Sequence, residues 1–184
     1  MIWLIRHGET EWSLSGQHTG TTDVPLTANG EAQAKRLGER LAHHNFAAVR
    51  VSPLLRARRT CEIAGLGAQA VVDPDLMEWN YGAYEGLTSA RIQRDRPGWE
   101  VFRDGPLHGE SIEDVAVRAR RVIAKASQAE GDVALFAHGH LLRILGACWI
   151  RLQPSVGGLL ALSTASISLL GFERETPVIQ SWNT

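Results

Sequence analysis

Two short apolar runs in this chain each lead into a histidine and a glycine, and this repeated pattern constrains the fold more than any other sequence feature. The first run covers residues 2–5 and is followed by Arg6-His7-Gly8. The second covers residues 132–137 and is followed by His138-Gly139-His140. Apolar runs of this length, rich in strand-forming residues, are typical of buried β-strands. We therefore predict two buried strands that carry imidazole and guanidinium groups at their carboxyl ends.

Predicted helices alternate with predicted strands along the chain. Thr27 is a suitable N-cap for a helix with an apolar face at Ala34, Leu37, Leu41 and Ala42; further helices begin near Leu54, at the Ser111–Asp114 capping box and at Leu141. The predicted strands cover residues 2–5, 46–51, 71–73, 132–137, 164–170 and 178–182, with a turn at 173–177 between the last two. Such alternation favours right-handed crossovers and a mostly parallel sheet between helices.

We accordingly predict an α/β fold, a three-layer α/β/α sandwich. Residues 1–184 are expected to form a single domain, because no linker, repeat or low-complexity segment divides them. Residues 79–110 are the least regular part and are predicted to be a lid-like insertion, since long loops in compact domains often cover sites. In open α/β sheets, ligands bind at the carboxyl ends of the strands, which places the site at the two His-Gly sequences.

Composition narrows the range of partners. The net charge is −1, so no basic field is present to attract nucleic acid or anionic membranes. The two cysteines, Cys61 and Cys148, lack the CxxC spacing of a zinc site or redox motif. No apolar run approaches the ~20 residues that cross a bilayer, and no signal peptide precedes the first strand. We expect a cytoplasmic protein without metal or cofactor; a monomer and a homodimer both stay open.

Several residues are candidates for chemistry. Arg6 offers a planar set of donors that matches phosphate or carboxylate, and His7 could serve as a base, a metal ligand or a nucleophile. A second basic site follows the strand at 46–51, where three of four positions at a helix N-terminus are arginine: Arg56, Arg58 and Arg59. Spacing alone does not choose among these three arginines. For the Arg6-His7 pair taken by itself, the simpler explanation is a strand that happens to end in polar residues.

Two further segments carry polar groups. The loop at residues 13–23 is dense in hydroxyl and amide groups that could bind phosphate or sugar oxygens, although it could equally be plain surface. Residues 76–86 place Glu78 and Glu85 among aromatic side chains, where desolvation favours a protonated carboxyl suited to general acid catalysis. The residue pattern alone gives the two glutamates equal weight.

Residues 4–10, Leu-Ile-Arg-His-Gly-Glu-Thr, resemble the signature of the histidine phosphatase superfamily, which contains the phosphoglycerate mutases and the fructose-bisphosphatase domain. The resemblance extends to about residue 145 and implies a phosphoglycerate mutase-like fold. It implies that His7 is a nucleophile that becomes phosphorylated, and that Arg6, Arg56 and His138 hold the phosphoryl oxygens. The family's Ser-Pro-Leu-x-Arg pattern selects Arg56 among the three arginines. Its pattern of a glutamate followed by a glycine and then by aromatic-Glu-Gly selects Glu78 as the proton donor, and Glu85 is then structural.

The branch of the family is indicated by other residues. Ser13 stands where the mutases usually have asparagine, and residues 17–23, residues 78–82 and Trp182-Asn183 look more like sedoheptulose-1,7-bisphosphatase-type enzymes. By that resemblance Thr19, Gly20 and Tyr81 contact the phosphate or sugar. The complete set of implied substrate contacts is Arg6, Ser13, Thr19, Gly20, Arg56, Glu78, Tyr81, His138 and Gly139.

The resemblance implies a metal-independent phosphatase that acts on small phosphomonoesters, sugar phosphates or bisphosphates, through a phosphohistidine. A neutral imidazole can approach a phosphate dianion without repulsion, while the arginines neutralise charge in the transition state. Zinc bound by His7, His138 and His140 is disfavoured because the neighbouring arginines would repel a cation. Neither a Walker loop nor a G-x-S-x-G sequence is present. A phosphoglycerate mutase and a non-catalytic phosphoester-binding protein are the alternatives.

Overall fold

Six strands form one sheet in the computed structural model, which describes residues 1–184. The strands are β1 (Ile2–Arg6), β2 (Phe46–Val51), β3 (Ala70–Val72), β4 (Asp132–Ala137), β5 (Ile167–Glu173) and β6 (Thr176–Ser181). They lie side by side in the order β3-β2-β4-β1-β5-β6. The pairs β3–β2, β2–β4 and β4–β1 are parallel, whereas β5 is antiparallel to both β1 and β6. Only β5 therefore runs against the other strands, and the predicted mostly parallel sheet is confirmed.

Seven helices surround the sheet. They are α1 (Glu11–Ser15), α2 (Ala28–Leu41), α3 (Leu55–Ile63), α4 (Ser89–Asp95), α5 (Val101–Asp104), α6 (Ile112–Ser127) and α7 (Gly139–Trp149). Thr27 caps α2 by accepting a hydrogen bond from Gly30 N–H, and Ser111 and Asp114 form the predicted capping box of α6. No helix is both long enough and apolar enough to cross a membrane.

The core has two layers, one on each face of the sheet. Alternate residues of β1 point to opposite faces: Ile2 and Leu4 pack with residues of α6 and α7, whereas Trp3 and Ile5 pack with residues of α2 and α3. Residues of β4 divide in the same way. Because helices cover both faces, the central strands are apolar at successive positions, which explains the near-continuous runs in the sequence. The predicted three-layer arrangement is confirmed.

Three local expectations were wrong. The segment predicted to be a loop at residues 13–23 begins inside α1, whose N-cap Thr10 exchanges hydrogen bonds with Ser13. The helix ends at Ser15, and its C-cap Gly16 adopts a left-handed conformation (φ 75°). Ala42 is not on the apolar face of α2, because the helix ends at Leu41 and Ala42 is exposed. Helix α7 begins at Gly139, two residues before the predicted start.

Strand β5 lies later than predicted, strand β6 begins earlier, and the turn between them is tighter. Residues 164–166 precede β5 as a loop that pairs with the backbone of Arg6 and His7, so the strand begins only at Ile167. Residues 174 and 175 alone connect β5 to β6, instead of the five residues predicted. Arg174 adopts a left-handed conformation (φ 56°), which permits the tight turn without the glycine that usually marks one.

Candidate active site

Strand register brings the two His-Gly sequences together. Arg6 at the end of β1 lies opposite Ala137 at the end of β4, so His7 and His138 leave adjacent strands at the same edge. The centroids of their rings are 5.2 Å apart, and both side chains are buried. Arg56 joins them from the first turn of α3, which follows the neighbouring strand β2. Four of the five residues implied to be catalytic thus come from the carboxyl ends of three adjacent strands.

His7 is held as a neutral imidazole with one free nitrogen. Its Nδ1 lies 2.7 Å from the carbonyl oxygen of Gly8, to which it donates a hydrogen bond. The proton on Nδ1 leaves the lone pair of Nε2 available. Burial lowers the pKa of His7 well below its ordinary value, and the positive charges of Arg56 and Arg6 lower it further, against the hydrogen bond to Gly8. The ring therefore stays unprotonated at neutral pH, as a nitrogen nucleophile requires.

Backbone packing fixes this nucleophile in place. A Cβ atom on Gly8 would lie 2.4 Å from the carbonyl oxygen of Gly30, so only glycine permits this contact between the loop and α2. The N–H of Gly8 donates to the hydroxyl of Thr60 at 3.0 Å. Beside it, both oxygens of the Glu9 carboxylate accept hydrogen bonds, from Thr27 and Asn29. The loop after β1 is thus tied to α2 and α3 on either side of His7.

His138 is a neutral hydrogen-bond donor. Its Nε2 lies 2.7 Å from the hydroxyl of Ser52, and that hydroxyl already accepts the N–H of Leu54 at 3.3 Å. We assign the hydroxyl proton to Nε2, which leaves the ring proton of His138 on Nδ1. Burial lowers the pKa of His138 well below its ordinary value, and the charge of Arg56 adds to the effect. The Nδ1–H group has no hydrogen-bond partner within the protein.

Two arginine donors share this property. Arg6 donates through Nη1 to the carbonyl of Leu162, and Arg56 donates through Nη1 and Nη2 to the carbonyls of Thr19, Gly20 and Thr22. The Nε atom of each is buried without a partner. A buried donor left unpaired costs about 1–3 kcal/mol. Three such donors, from Arg6, Arg56 and His138, belong to residues near His7, and of these residues Arg6 lines the cavity. Together they fit an anion with several acceptor oxygens, and they oppose a metal cation.

Glu78 and Glu85 occupy different environments. Oε2 of Glu78 accepts the N–H of His140 at 3.0 Å, and Oε1 accepts those of Leu141 and Trp79, each at 2.9 Å. Glu78 therefore caps the N-terminus of α7, where the helix dipole also favours a negative charge. Oε1 of Glu85 accepts the N–H groups of Gly20 and Thr22, which fixes the loop that Arg56 also binds. Glu78 lines the cavity beside His7 and Glu85 does not, and the role of Glu78 as proton donor stays a prediction.

The site opens into a cavity with two compartments. The inner compartment, of about 240 Å³, is lined by Arg6, His7 and Glu78 among others. The outer compartment, of about 410 Å³, is lined by residues of α4 and α5 and by residues 155–159. The residues shared by both walls are His18, Ser89, His140 and Arg143.

The remaining residues implied to contact substrate are distributed unevenly. Ser13, Thr19, Tyr81 and Gly139 line the inner compartment. The hydroxyl of Ser13 is bonded to the backbone of Thr10, and that of Thr19 donates to the carbonyl of Gln17, so neither hydroxyl is free. Gly20 does not line the cavity, because its N–H donates to Glu85 and its carbonyl accepts from Arg56. The sequence could not show that Gly20 faces away from the cavity, because the orientation of a loop amide depends on partners that are distant in the chain.

Sequence reasoning also missed the residues between the compartments. His18 is buried against Tyr81 and Trp99, with ring centroids 4.9 Å and 5.5 Å away. His140 shares a hydrogen bond through Nδ1 with the Tyr81 hydroxyl. Burial lowers the pKa of His18, and that of His140 falls further. Only one sequence signal could have indicated that two of these residues lie side by side. His140 and Arg143 are three positions apart on one helix, a spacing that puts them on the same face.

Comparisons with known proteins agree with this geometry. The chain matches the model of the histidine phosphatase superfamily (branch 1) over residues 2–184. It is 40% identical over 176 residues to an acid phosphatase of Mycobacterium tuberculosis, covering 94% of this chain and 86% of that protein. It is 38% identical over 182 residues to sedoheptulose 1,7-bisphosphatase of Saccharomyces cerevisiae, covering 81% and 67%. A probable phosphoglycerate mutase of Klebsiella pneumoniae matches at 29% over 191 residues, covering 98% and 89%.

A solved structure confirms the fold. The product of an open reading frame of Mycobacterium tuberculosis superposes with a TM-score of 0.94 at 38% identity, covering 99% of this chain and 96% of that one. The signature at residues 4–10, the sheet order and the family match over residues 2–184 agree. The chain belongs to branch 1 of the histidine phosphatase superfamily.

Proposed function

We propose that this histidine phosphatase hydrolyses small phosphomonoesters, sugar phosphates or bisphosphates, through a phosphohistidine on His7 and without a metal ion. The observation that carries this function is a neutral His7 with a free Nε2, set among three buried donors that lack partners. A phosphoryl group supplies the oxygens that these donors need. The positive charge of the arginines takes the neutralising part that a metal plays in other phosphatases.

In the first step, His7 accepts the phosphoryl group. Nε2 attacks phosphorus; a P–N bond forms and the P–O bond to the sugar breaks, while Arg6, Arg56 and the Nδ1–H of His138 bind the three non-bridging oxygens. The departing alkoxide takes a proton from Glu78. Glu78 enters this step as the neutral acid and leaves it as the carboxylate.

In the second step, water restores the enzyme. The Glu78 carboxylate accepts a proton from water as the water oxygen attacks phosphorus and the P–N bond breaks. The products are inorganic phosphate and neutral His7. Because Glu78 gives one proton and takes one back, each turnover leaves the site in its starting state.

The two-compartment cavity supports a sugar phosphate that carries a second anionic group. Arg143 lies between the compartments, with its guanidinium carbon 4.5 Å from the centre of the Phe102 ring. It donates to the carbonyls of Gly157 and Gly158, and Arg103 also lines the outer compartment. One arginine over an aromatic ring, with a second arginine on the same outer wall, suits a phosphorylated polyol. The name of the yeast relative, a bisphosphatase, points the same way.

The same proposal covers the setting of the enzyme. Residues 79–110 act as the lid, since α4, α5 and Trp99 supply much of the outer compartment wall. The substrate is a small molecule, and the enzyme works in the cytoplasm without nucleic-acid or membrane partners, in keeping with a net charge of −1.

Replacing His7 tests the proposed function. We expect His7→Ala to lower kcat/KM for p-nitrophenyl phosphate at least about a thousandfold, because no nucleophile remains to accept the phosphoryl group. The measurement is phosphate release with EDTA present, from p-nitrophenyl phosphate and from sugar mono- and bisphosphates. Acid-labile ³²P bound to the protein reports the phosphohistidine.

His43→Ala is the matched control, since His43 is an exposed histidine outside the site. Full activity in His7→Ala would disprove the nucleophile. Interconversion of 2- and 3-phosphoglycerate without phosphate release would instead make the chain a mutase. Wild-type protein that binds phosphate but turns over no substrate would make it a binding protein.

A further inference from the structure

Residues 182–184 follow β6 and brace the loop that holds Arg6. The indole Nε1–H of Trp182 donates to the carbonyl of Ala161 at 2.5 Å. Oδ1 of Asn183 accepts the N–H of Ser163 at 2.6 Å. Between these two anchored residues, the carbonyl of Leu162 accepts the Nη1–H of Arg6. Residues 161–163 of the loop are thus all hydrogen-bonded. Ala161 and Ser163 are bound to residues 182–184, and Leu162 is bound to the guanidinium of Arg6.

The segment is itself held firmly. Thr184 and Ile167 exchange two backbone hydrogen bonds of 3.0 Å, and the N–H of Asn183 donates to the hydroxyl of Ser168 at 2.9 Å. A Cβ atom on Gly146 of α7 would lie 2.8 Å from the ring of Trp182, so the indole packs against the helix backbone. Residues 182–184, which we call the brace, are therefore anchored to β5 on one side and to α7 on the other.

The guanidinium of Arg6 is restrained from two directions. Leu162 takes the Nη1 donor, and the backbone of Gly139 covers the guanidinium closely, since a Cβ there would lie 3.3 Å from Cζ and Nε. A planar guanidinium that is held at one nitrogen presents its other N–H donors in a fixed direction. Nε and Nη2 are left without a protein partner, and the buried one, Nε, is the donor assigned above to the phosphoryl group.

We propose that Trp182 and Asn183 are positioning residues for phosphoryl transfer, which act by fixing the Leu162 carbonyl and, through it, the guanidinium of Arg6. This inference rests on the proposed function, because it assigns the Arg6 Nε donor to the substrate phosphoryl group. Without the brace, the 161–163 loop can shift, and Arg6 loses its alignment with the phosphoryl oxygen. The loss weakens binding of the substrate and weakens binding of the transition state more, so it raises KM and lowers kcat.

Substitutions at Asn183 separate the hydrogen bond from backbone conformation. Asn183 is in the left-handed region (φ 58°), where alanine would be strained, but glycine and aspartate are tolerated. Asn183→Gly removes the acceptor without strain, and Asn183→Asp retains it. Trp182→Phe removes the N–H donor and keeps the ring against α7. Gln180→Ala is the control, an exposed position on β6 two residues before Trp182.

The experiment measures kcat, KM and inhibition by inorganic phosphate for these variants with p-nitrophenyl phosphate, and repeats Asn183→Gly in an Arg6→Lys background. We expect Asn183→Gly and Trp182→Phe each to lower kcat/KM about fivefold, the effect of one lost hydrogen bond. Asn183→Asp and Gln180→Ala should stay near wild type. In the Arg6→Lys background the loss should vanish, because a lysine has no second nitrogen to link Leu162 to the phosphate.

Equal losses from Asn183→Gly in both backgrounds would show a general structural role and overturn the inference, as would unchanged kinetics in both Asn183→Gly and Trp182→Phe. Thermal unfolding identifies any variant that fails to fold, in which case the other variant decides. A wild-type protein that releases no phosphate would instead refute the proposed function.

Discussion

A single buried hydroxyl decides which nitrogen of His138 carries the proton. Ser52 is fully buried, accepts the N–H of Leu54 and directs its own proton to Nε2 of His138. Without this hydroxyl, nothing in the protein selects the tautomer with hydrogen on Nδ1, and Nε2 is left unpaired. The donor that we propose for the phosphoryl group is therefore set by Ser52 as well as by His138.

We expect Ser52→Ala to lower kcat/KM about tenfold, the cost of losing a hydrogen bond and leaving one buried group unpaired. The ¹⁵N chemical shifts of His138 should move toward a mixture of tautomers in the same variant. Ser15→Ala is the control, because Ser15 is exposed and its hydroxyl makes only local contacts. Unaltered ¹⁵N shifts in Ser52→Ala would show that another group sets the tautomer.

The segment that carries Glu78 is positioned by one arginine of α6. Nη1 of Arg118 donates to the carbonyls of Asp75 and Met77, each at 2.9 Å. Its Nε and Nη2 bind the two carboxylate oxygens of Glu110, both at 2.8 Å. Glu110 in turn accepts the N–H of Asn80 at 2.9 Å and, through its backbone carbonyl, the indole N–H of Trp79. The residues on both sides of Glu78 are thus fixed to α6.

We expect Arg118→Lys to lower kcat/KM for a sugar phosphate about tenfold more than for p-nitrophenyl phosphate. A lysine cannot bind the carboxylate and two carbonyls at once, so Glu78 loses alignment as the proton donor. Nitrophenolate leaves without a proton, whereas an alkoxide needs one. The measurement compares the two substrates, with Arg120→Lys on the exposed face of α6 as control. Equal losses on both substrates would separate Arg118 from the proton donor.

Elements whose signal is local were predictable from the sequence. Strands β1 and β4 were found because both of their faces are buried, and α2 and α6 because Thr27 and the Ser111–Asp114 box mark their starts. Helix α1 was missed because only its Thr10–Ser13 box marks it, in a segment without apolar periodicity. The turn at Arg174 was misjudged because no glycine marks it.

The site was predictable to the same extent. The His-Gly sequences placed His7 and His138 at one sheet edge from the residue pattern alone. Spacing could not separate Glu78 from Glu85, because the difference lies in contacts with His140 and Leu141, more than 60 residues away. Ser52 was missed for the same reason, since its partner is 86 residues distant.

Across the whole molecule, the buried histidines of the site make stability depend on pH. The pKa values of His7, His138 and His140 all lie well below the ordinary value, chiefly because of burial. In the unfolded chain each titrates near pH 6.5, so below that pH the unfolded state binds protons that the folded state does not. The free energy of unfolding therefore falls as the pH falls, beginning near pH 6.5 and continuing toward the lower folded-state pKa values.

We expect the free energy of unfolding to fall by about 4 kcal/mol per pH unit below pH 6.5, from about 1.4 kcal/mol for each of these three histidines. His18, whose pKa burial also lowers, adds to this slope. Urea unfolding between about pH 7.5 and about pH 5.5 measures it, a window above the range where carboxylates titrate in the unfolded chain. Asp75, whose pKa Arg121 lowers to about 2, contributes only below this window.

His140→Gln keeps a partner for the Tyr81 hydroxyl and should reduce the slope by about a third, whereas His43→Ala, at an exposed site, should not. Stability that is constant or increases toward pH 5.5 would mean that these histidines are charged in the folded protein, and a charged His7 could not attack phosphorus.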